Sequence, residues 1–301
     1  MKRIDFNAKL AVAVAVLTLI SPIAGFSANQ APEPTTELVR HTVQGETATG
    51  GGAKTMFTDH KGTPQGSQTK LVVETREGMA GMLIAVNNKP LSAAQRQAEE
   101  ARLQALANNP ESLKKKQRSE KEDAERVARI MKALPDAFLF EQDGSAVGNQ
   151  EIGKPGDQLV RLKFRPNPKY SPPSHVEQVL VGMQGYILID ADQHRMAKID
   201  GTLGKEVSFG WGILGHLDRG GHFLVEQAEV IPGDWEITHM SLSFTGKELL
   251  FKSINIDLNE VFTNFRAVPS NLTFAQGVDL LKKQEGELAE NRTQSAGDKS
   301  K

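Results

Sequence analysis

The feature that most constrains this fold is a series of short segments, beginning near Ala137, in which apolar and polar residues alternate. In the segment 235–244, for example, Met240, Leu242 and Phe244 fall on one face of an extended chain. A repeat of two residues is the repeat of a β-strand. Several such segments follow one another without a helical pattern between them, which predicts an antiparallel sheet with one covered face.

Strand patterns also occur before this region. The segment 70–76 contains the β-branched pair Val72 and Val73 between charged flanks, and the sequence DADQH at 190–194 has the composition of a turn between two strands. The predicted strands are 54–59, 70–76, 82–87, 158–165, 185–190, 196–199, 205–210, 222–231, 235–244 and 250–258.

Between the two sets of strands, residues 92–134 have a helical composition. Ser92 followed by Gln95 is the pattern of a capping box, so we predict a helix that begins there and ends before Pro110. A second helix is predicted for 111–134, where apolar residues recur every three or four positions. The two helices would form a charged hairpin that covers one side of the sheet; a partner-binding arm is the alternative.

The two ends of the chain differ in composition from its middle. Residues 1–28 begin with basic side chains, continue into an apolar run too short to span a bilayer and end in small residues, which is the order of a secretory signal peptide. Residues 29–53 are predicted to form a flexible leader, and the tail 277–301 is predicted to be disordered because it lacks large side chains after Leu288. Residues 54–276 are predicted to form a single β-rich domain that includes the helical insert.

Cysteine is absent from the 301 residues. An exported chain without cysteine carries neither disulfides nor a lipid-modified N-terminal cysteine, so its stability has to come from an apolar core. The hydrophobic fraction of 39% is ordinary for a globular protein. The net charge of −1 argues against a nucleic-acid partner held by phosphate contacts. We therefore expect a periplasmic or secreted protein, with no transmembrane segment once the signal peptide is removed.

The segment 208–221, SFGWGILGHLDRGG, contains the spacing G-x-G-x-x-G of a dinucleotide-binding turn. Such a turn holds a pyrophosphate only when a helix begins at its last glycine. Here the double glycine at 220–221 would end any helix after one turn, and 222–231 has a strand pattern. We interpret the segment as an apolar, glycine-rich hairpin tip between the predicted strands 205–210 and 222–231.

The seven histidines match no metal-binding motif. His216, His222 and His239 with Asp218 would supply a zinc site if the strands brought them together, but their spacing favours surface positions instead. A Gly-x-Ser-x-Gly elbow and a cysteine nucleophile are both missing. The sequence therefore predicts no enzyme, no metal site and no cofactor; an enzyme with a histidine-centred site is the alternative.

Four stretches of the sequence together resemble one family: FRPNPKYSPPS (164–174), GYILIDADQHRMAKIDGTL (185–203), VSFGWGILGHLDRGGHFLVEQAEV (207–230) and LLFKSINIDLNEVFTNFR (249–266). They are similar to secreted, acidobacterial-type proteins whose fold is similar to the outer-membrane lipoprotein-sorting chaperone and to the sensor domain of periplasmic anti-sigma-factor regulators. The resemblance implies an α+β fold: an incomplete antiparallel β-barrel covered by helices, with a charged helical hairpin as an insert. It also implies an apolar cavity, which receives acyl chains in the chaperone.

Large apolar residues on and beside the glycine-rich hairpin are the predicted site. Ordinary packing that closes the end of the barrel is one interpretation. The other is the lip of a cavity that opens to an apolar ligand, since each buried methylene contributes ~0.8 kcal/mol. The candidate residues are Phe209, Trp211, Ile213, Leu214, Leu217 and Phe223.

The expected function is non-enzymatic binding or carriage of a hydrophobic ligand, such as a lipid or an acylated lipoprotein. The alternative is an envelope protein-interaction or stress-sensor module, in which the sheet or the helical hairpin binds a protein partner and side chains fill the cavity. Fold similarity alone does not choose between them.

Overall fold

The computed structural model describes residues 33–47, 53–210, 214–248 and 252–298. Helices and antiparallel strands make up most of this part, and the α+β class is therefore confirmed. In chain order the elements are α1 (Thr35–Thr47), β1 (Lys54–Thr63), β2 (Gly66–Thr75), β3 (Gly78–Val86), β4 (Lys89–Pro90), α2 (Ala93–Ala107), α3 (Pro110–Ala137), β5 (Phe138–Val147), β6 (Gln158–Pro166), a 3-10 helix (Glu177–Gly182), β7 (Met183–Asp190), β8 (Arg195–Leu203), β9 (Val207–Phe209), β10 (Gly215–Leu217), β11 (His222–Ile231), β12 (Asp234–Glu248), β13 (Lys252–Val268) and α4 (Phe274–Asp298).

The chain divides into two compact units. The first unit is Met1–Gly52 with Glu122–Asn259, and the second is Ala53–Lys121 with Glu260–Lys301. The sequence predicted a single domain over 54–276. Two of its three boundaries fall inside the helix α3 and inside the strand β13 rather than in a linker, so no change of composition marks them.

The first unit is built on an antiparallel sheet. Its strand order is β13-β12-β11-β8-β7-β6-β5, with the short pair β9 and β10 attached to β12. The register places Ile187 opposite Ile199 and Val225 opposite Met240. In the described residues β5 pairs with β6 alone, so this sheet is not closed into a barrel.

Helices cover one face of this sheet, as the alternation predicted. The strand residues Leu162, Ile187 and Met196 are almost fully buried, and they pack with Leu38 and Val39 of α1 and with the end of α3. Burying an apolar side chain of this size contributes about 1.5–3 kcal/mol. The prediction of a flexible leader is therefore wrong for the part that forms α1, because packing on the sheet stabilises a helix whose own sequence gives little sign of one.

The second unit has its own hydrophobic core and contains the strands β1 to β4. Its strand order is β4-β3-β2-β1, followed by the last part of β13, and β1, β2 and β3 pair antiparallel. Phe274, Val278 and Leu281 of α4 are buried in a core with side chains of these strands. The tail 277–301, predicted to be disordered, is therefore helical to its last described residue, since one side of α4 packs on the sheet.

The helices α2 and α3 confirm the local signals read from the sequence, and α2 packs on α4 and on β3. The Gln95 N–H donates to the Ser92 hydroxyl oxygen (3.3 Å), and the Ser92 N–H donates to the Gln95 side-chain oxygen (2.9 Å). These reciprocal bonds are the predicted capping box, and they satisfy two N–H groups that the first turn of α2 would leave without partners.

The helix α2 also covers the outer edge of β3. The short strand β4 pairs with this edge only at the last residues of β3. The Leu83 N–H donates to Oε1 of Glu99 (2.8 Å), and the Arg102 guanidinium donates to the carbonyl oxygen of Gly81 (3.1 Å). Arg102 also donates to Glu99 through two nitrogens, so the two side chains hold each other in place along the strand.

Within the described residues, no helix combines the length and apolar character needed to span a bilayer. The predicted signal peptide, residues 1–28, lies outside the part of the chain that the structure describes.

Candidate functional site

The predicted site lies on a hairpin formed by β9 and β10, residues 207–217, which we call the glycine hairpin. Gly215 is opposite Phe209 and Leu217 is opposite Val207, and β10 pairs on its other side with the end of β12. The returning strand is therefore the short β10, whereas the sequence predicted 222–231; that segment forms the separate strand β11.

Two glycines are required by the geometry of this hairpin. Gly215 has a φ of +129°, and a Cβ there would collide with the carbonyl oxygen of Lys247 in β12. Gly210 has a φ of +55°, and a Cβ would lie 2.5 Å from Cγ of Leu214. The glycines thus serve the pairing of β10 with β12 and the close approach of Gly210 to Leu214. A strand follows Gly215 where a dinucleotide-binding turn needs a helix.

The six candidate residues do not share one environment. Leu217 is buried, Phe209 is half-buried, and Leu214 is 41% exposed beside the hairpin turn. Phe223 lies on β11 and packs against the main core of the first unit. The remaining two, Trp211 and Ile213, lie outside the described residues.

A cavity of about 420 Å³ lies in the first unit close to the start of β9. Lys205, two residues before β9, is an exposed part of its lining, and Val181 of the 3-10 helix forms part of the wall. Tyr170 also lines the cavity, and its hydroxyl oxygen is buried without a hydrogen-bond partner among the described residues. Burial raises the pKa of Tyr170. The full lining is Pro166, Asn167, Pro168, Tyr170, Val181, Gly182, Gln184, Gly204 and Lys205.

The exposed face of the first unit's sheet carries a line of charged pairs. The Tyr186 hydroxyl donates to Oδ2 of Asp200 (3.2 Å), and Nε2 of His222 lies 2.9 Å from Oδ1 of the same carboxylate. Lys198 donates to Glu226 (2.9 Å). Burial lowers the pKa of Lys198, but its hydrogen bonds to Glu226 and Tyr186 outweigh that effect, so the pKa is raised.

The grouping of His216, His222 and His239 that a zinc site on these strands would require is not found in the structure. His239 is held between Glu226 (3.0 Å from Nδ1) and Asn259 (2.7 Å from Nε2), and His222 contacts Asp200. His216 remains at the hairpin, where it forms a group with two other residues of the same segment, Glu206 and Asp218. Each histidine therefore has its own carboxylate partner, and the three rings do not converge.

A further group of titratable side chains, Glu33, His41 and His194, was missed by the sequence analysis. It joins the segment before α1 to the turn between β7 and β8. No spacing rule connects these positions, because more than a hundred residues of the chain separate the two histidines. Only the packing of α1 on the sheet brings them together.

No family model and no curated protein matches this sequence. Among solved structures, the chain is similar to the crystal structure of a DUF1329 family protein from Desulfovibrio piger, at 9% identity and a TM-score of 0.25, over 82% of this chain and 97% of that chain. A TM-score this low gives no basis for transferring a site or an activity.

Proposed function

We propose that the first unit binds an acyl-bearing molecule, such as a lipid or an acylated lipoprotein, without catalysing a reaction. The observation that carries the proposal is the cavity of about 420 Å³ beside β9, whose volume is within the range of small-molecule sites, roughly 300–1,000 Å³. Prolines, Tyr170 and Val181 give its wall apolar surface. An acyl chain needs such surface and few polar contacts.

The glycine hairpin supports the proposal because it carries apolar side chains on the segment that directly follows Lys205 of the cavity lining. Leu214 is one of three large apolar side chains that are exposed in the described residues, and half-buried Phe209 lies opposite Gly215. Gly182 of the cavity wall lies so close to Val207 of β9 that a Cβ at 182 would collide with that side chain. A ligand that enters the cavity would therefore meet the hairpin.

The polar groups around the cavity favour a ligand with an acidic head group. Lys205 is an exposed cation of the cavity lining. The buried Tyr170 hydroxyl has no acceptor among the described residues, and buried polar groups of this kind usually find one. A carboxylate or phosphate head group would pair with Lys205 and accept from Tyr170, while its chain contacts the apolar part of the lining.

The sequence supports the same conclusion. The stretches that resemble a family of secreted proteins, whose fold is similar to the outer-membrane lipoprotein-sorting chaperone, include 164–174 and 207–230, which contribute Tyr170 and the glycine hairpin. The signal-peptide pattern of residues 1–28 would deliver the protein to the periplasm or the medium, where acylated lipoproteins and lipids are handled.

The proposal is tested by native mass spectrometry of the purified protein, with lipid extraction of any bound mass and titration with laurate and phosphatidylglycerol. We expect an acyl-bearing adduct at one per chain. Val181→Trp should fill the cavity and abolish the adduct, and Lys205→Glu should weaken it without touching the core. Val147→Trp is the matched control, because Val147 is 59% exposed on β5 and does not line the cavity.

Two results would contradict this function. A wild-type protein that remains ligand-free and refuses both added amphiphiles would favour the envelope interaction module instead. Equal binding by wild type and Val181→Trp, with native circular dichroism for both, would place the ligand outside this cavity.

A further inference from the structure

Three side chains that are far apart in the sequence converge in the first unit. Glu33 precedes α1, His41 lies on α1, and His194 lies in the turn between β7 and β8. One ligand atom from each lies within 4.8 Å of the other two, and Nδ1 of His41 is 2.6 Å from Oε1 of Glu33. Two imidazoles and one carboxylate are a ligand set that binds Zn²⁺ in proteins.

His194 supplies a second observation that points to a ligand. Its Nδ1 atom is buried and has no hydrogen-bond partner among the described residues. A buried ring nitrogen in this state has lost its hydration without replacement, which is unfavourable. The ring stands edge-on to that of His41, at 75° with 5.6 Å between centroids, so the two rings do not stack on each other.

The surrounding contacts hold these ligands in place before any ion binds. His194 has a φ of +50°, a left-handed conformation that non-glycine residues seldom adopt and that the packing here must maintain. Next to it, the Met196 N–H donates to Oε1 of Glu46 (2.9 Å), and Arg195 forms an ion pair with the same atom (3.3 Å). Glu46 belongs to α1, so these bonds fasten the helix that carries His41 to the turn that carries His194.

Close approach of the helix also depends on Gly45. A Cβ at this position would lie 3.2 Å from the carbonyl oxygen of His194, a contact that most side chains avoid. Gly45 therefore allows α1 to approach the turn closely enough for the histidines to share a ligand.

We propose that Glu33, His41 and His194 bind one Zn²⁺ ion, which joins α1 to the β7–β8 turn. Ligands about 2.1 Å from a tetrahedral ion are roughly 3.4 Å apart, so rotations that move these side chains by about 1 Å complete the site. The His41 side chain is 47% exposed, which leaves the remaining coordination position open to water. Each histidine binds through one nitrogen as the neutral imidazole, so a ring that is an imidazolium beforehand releases one proton to solvent and keeps the proton on its other nitrogen.

The site is distinct from the group at the glycine hairpin. Glu206, His216 and Asp218 offer one imidazole and two carboxylates, a poorer set for Zn²⁺ than two imidazoles. None of their nitrogens or oxygens is a buried atom without a partner in the described part of the chain. This second group serves as an internal control, and the zinc site does not depend on lipid binding.

The test is isothermal titration calorimetry of the full, tag-free protein with Zn²⁺ after chelator treatment. We expect one equivalent of Zn²⁺ to bind. His41→Gln and His194→Asn should each weaken the affinity for Zn²⁺ by at least roughly tenfold, because the loss of a group that only supports a metal ligand already has an effect of this size. Asn tolerates a positive φ, so His194→Asn keeps the turn. His216→Gln should leave the affinity unchanged.

A structural readout separates zinc binding at this site from binding elsewhere. Zn²⁺ should slow hydrogen exchange of the α1 amides in the wild type and in His216→Gln but not in His194→Asn. The proposal is overturned if the wild type binds no Zn²⁺ at micromolar concentrations, if all variants bind it equally, or if His216→Gln alone loses it.

Discussion

Replacing Asp59 by Asn should stabilise the protein at neutral pH but not in acid. Asp59 is half-buried on β1, and its Oδ1 atom has no hydrogen-bond partner among the described residues. Burial raises the pKa of this carboxyl to about 6, and the neighbouring carboxylate of Glu260 adds to the shift, whereas Lys70 and Lys61 oppose it. The ionised carboxylate is therefore less favourable in the folded protein than in the unfolded chain.

The sign and size of the effect follow from the two pKa values. The pKa rises from 3.8 in the unfolded chain to about 6 in the folded protein, so the folded state holds the proton more tightly. The protonated form of Asp59 contributes its full stability below pH 3.8. This contribution decreases between pH 3.8 and about 6 and is lost at higher pH. Such a difference corresponds to about 3 kcal/mol at most; because solvent reaches part of the side chain, we expect about 1–2 kcal/mol.

The assay is urea unfolding followed by circular dichroism, at one pH below 3.8 and one above 6. The difference in unfolding free energy between Asp59→Asn and wild type should be near zero in acid and favour the variant at the higher pH. Asp279→Asn is the control, because Asp279 is exposed on α4 in the same unit. Equal differences at both pH values, or a variant that is less stable above pH 6, would refute the reasoning.

The remaining predictions concern local backbone structure, measured by the same unfolding assay. Ser92→Ala removes one half of the capping box of α2 and should cost about 1 kcal/mol; an unchanged stability would show that the box contributes nothing. Gly185→Ala places a Cβ against the carbonyl oxygen of Asp200 in the paired strand, so it should cost more than about 3 kcal/mol or prevent folding. Gly286→Ala in α4 meets no atom within 4 Å and should stabilise by about 0.5–1 kcal/mol; a loss of stability would mean that this helix is not formed there.

Signals contained within a few neighbouring residues predicted structure well. The capping box at Ser92 and the alternation in 235–244 led to α2 and β12 because both depend on the backbone and on one buried face. A second box was present but overlooked at Thr273 and Gln276, where the same reciprocal bonds precede α4. It is the sequence signal that identifies the C-terminal segment as helical.

Features that depend on contacts between distant segments could not be predicted. The helix α1 forms because Leu38 and Val39 pack on strands that follow it by more than a hundred residues. The grouping of His41 with His194 depends on that packing, so no motif announces it. In the same way, His222 and His239 lie near the glycine hairpin in sequence, but the strand register gives each of them a different carboxylate partner.

The contacts of Glu99 and Arg102 with β3 also bear on how the protein behaves at high concentration. An unpaired strand is a template on which a second molecule can extend the sheet, and repetition of that step produces aggregates. Here the Leu83 N–H and the Gly81 carbonyl are already hydrogen-bonded to side chains of α2. These two backbone groups are therefore not available to a strand of a second molecule. At this edge of β3, each copy of the protein thus blocks the addition of a further strand with its own side chains.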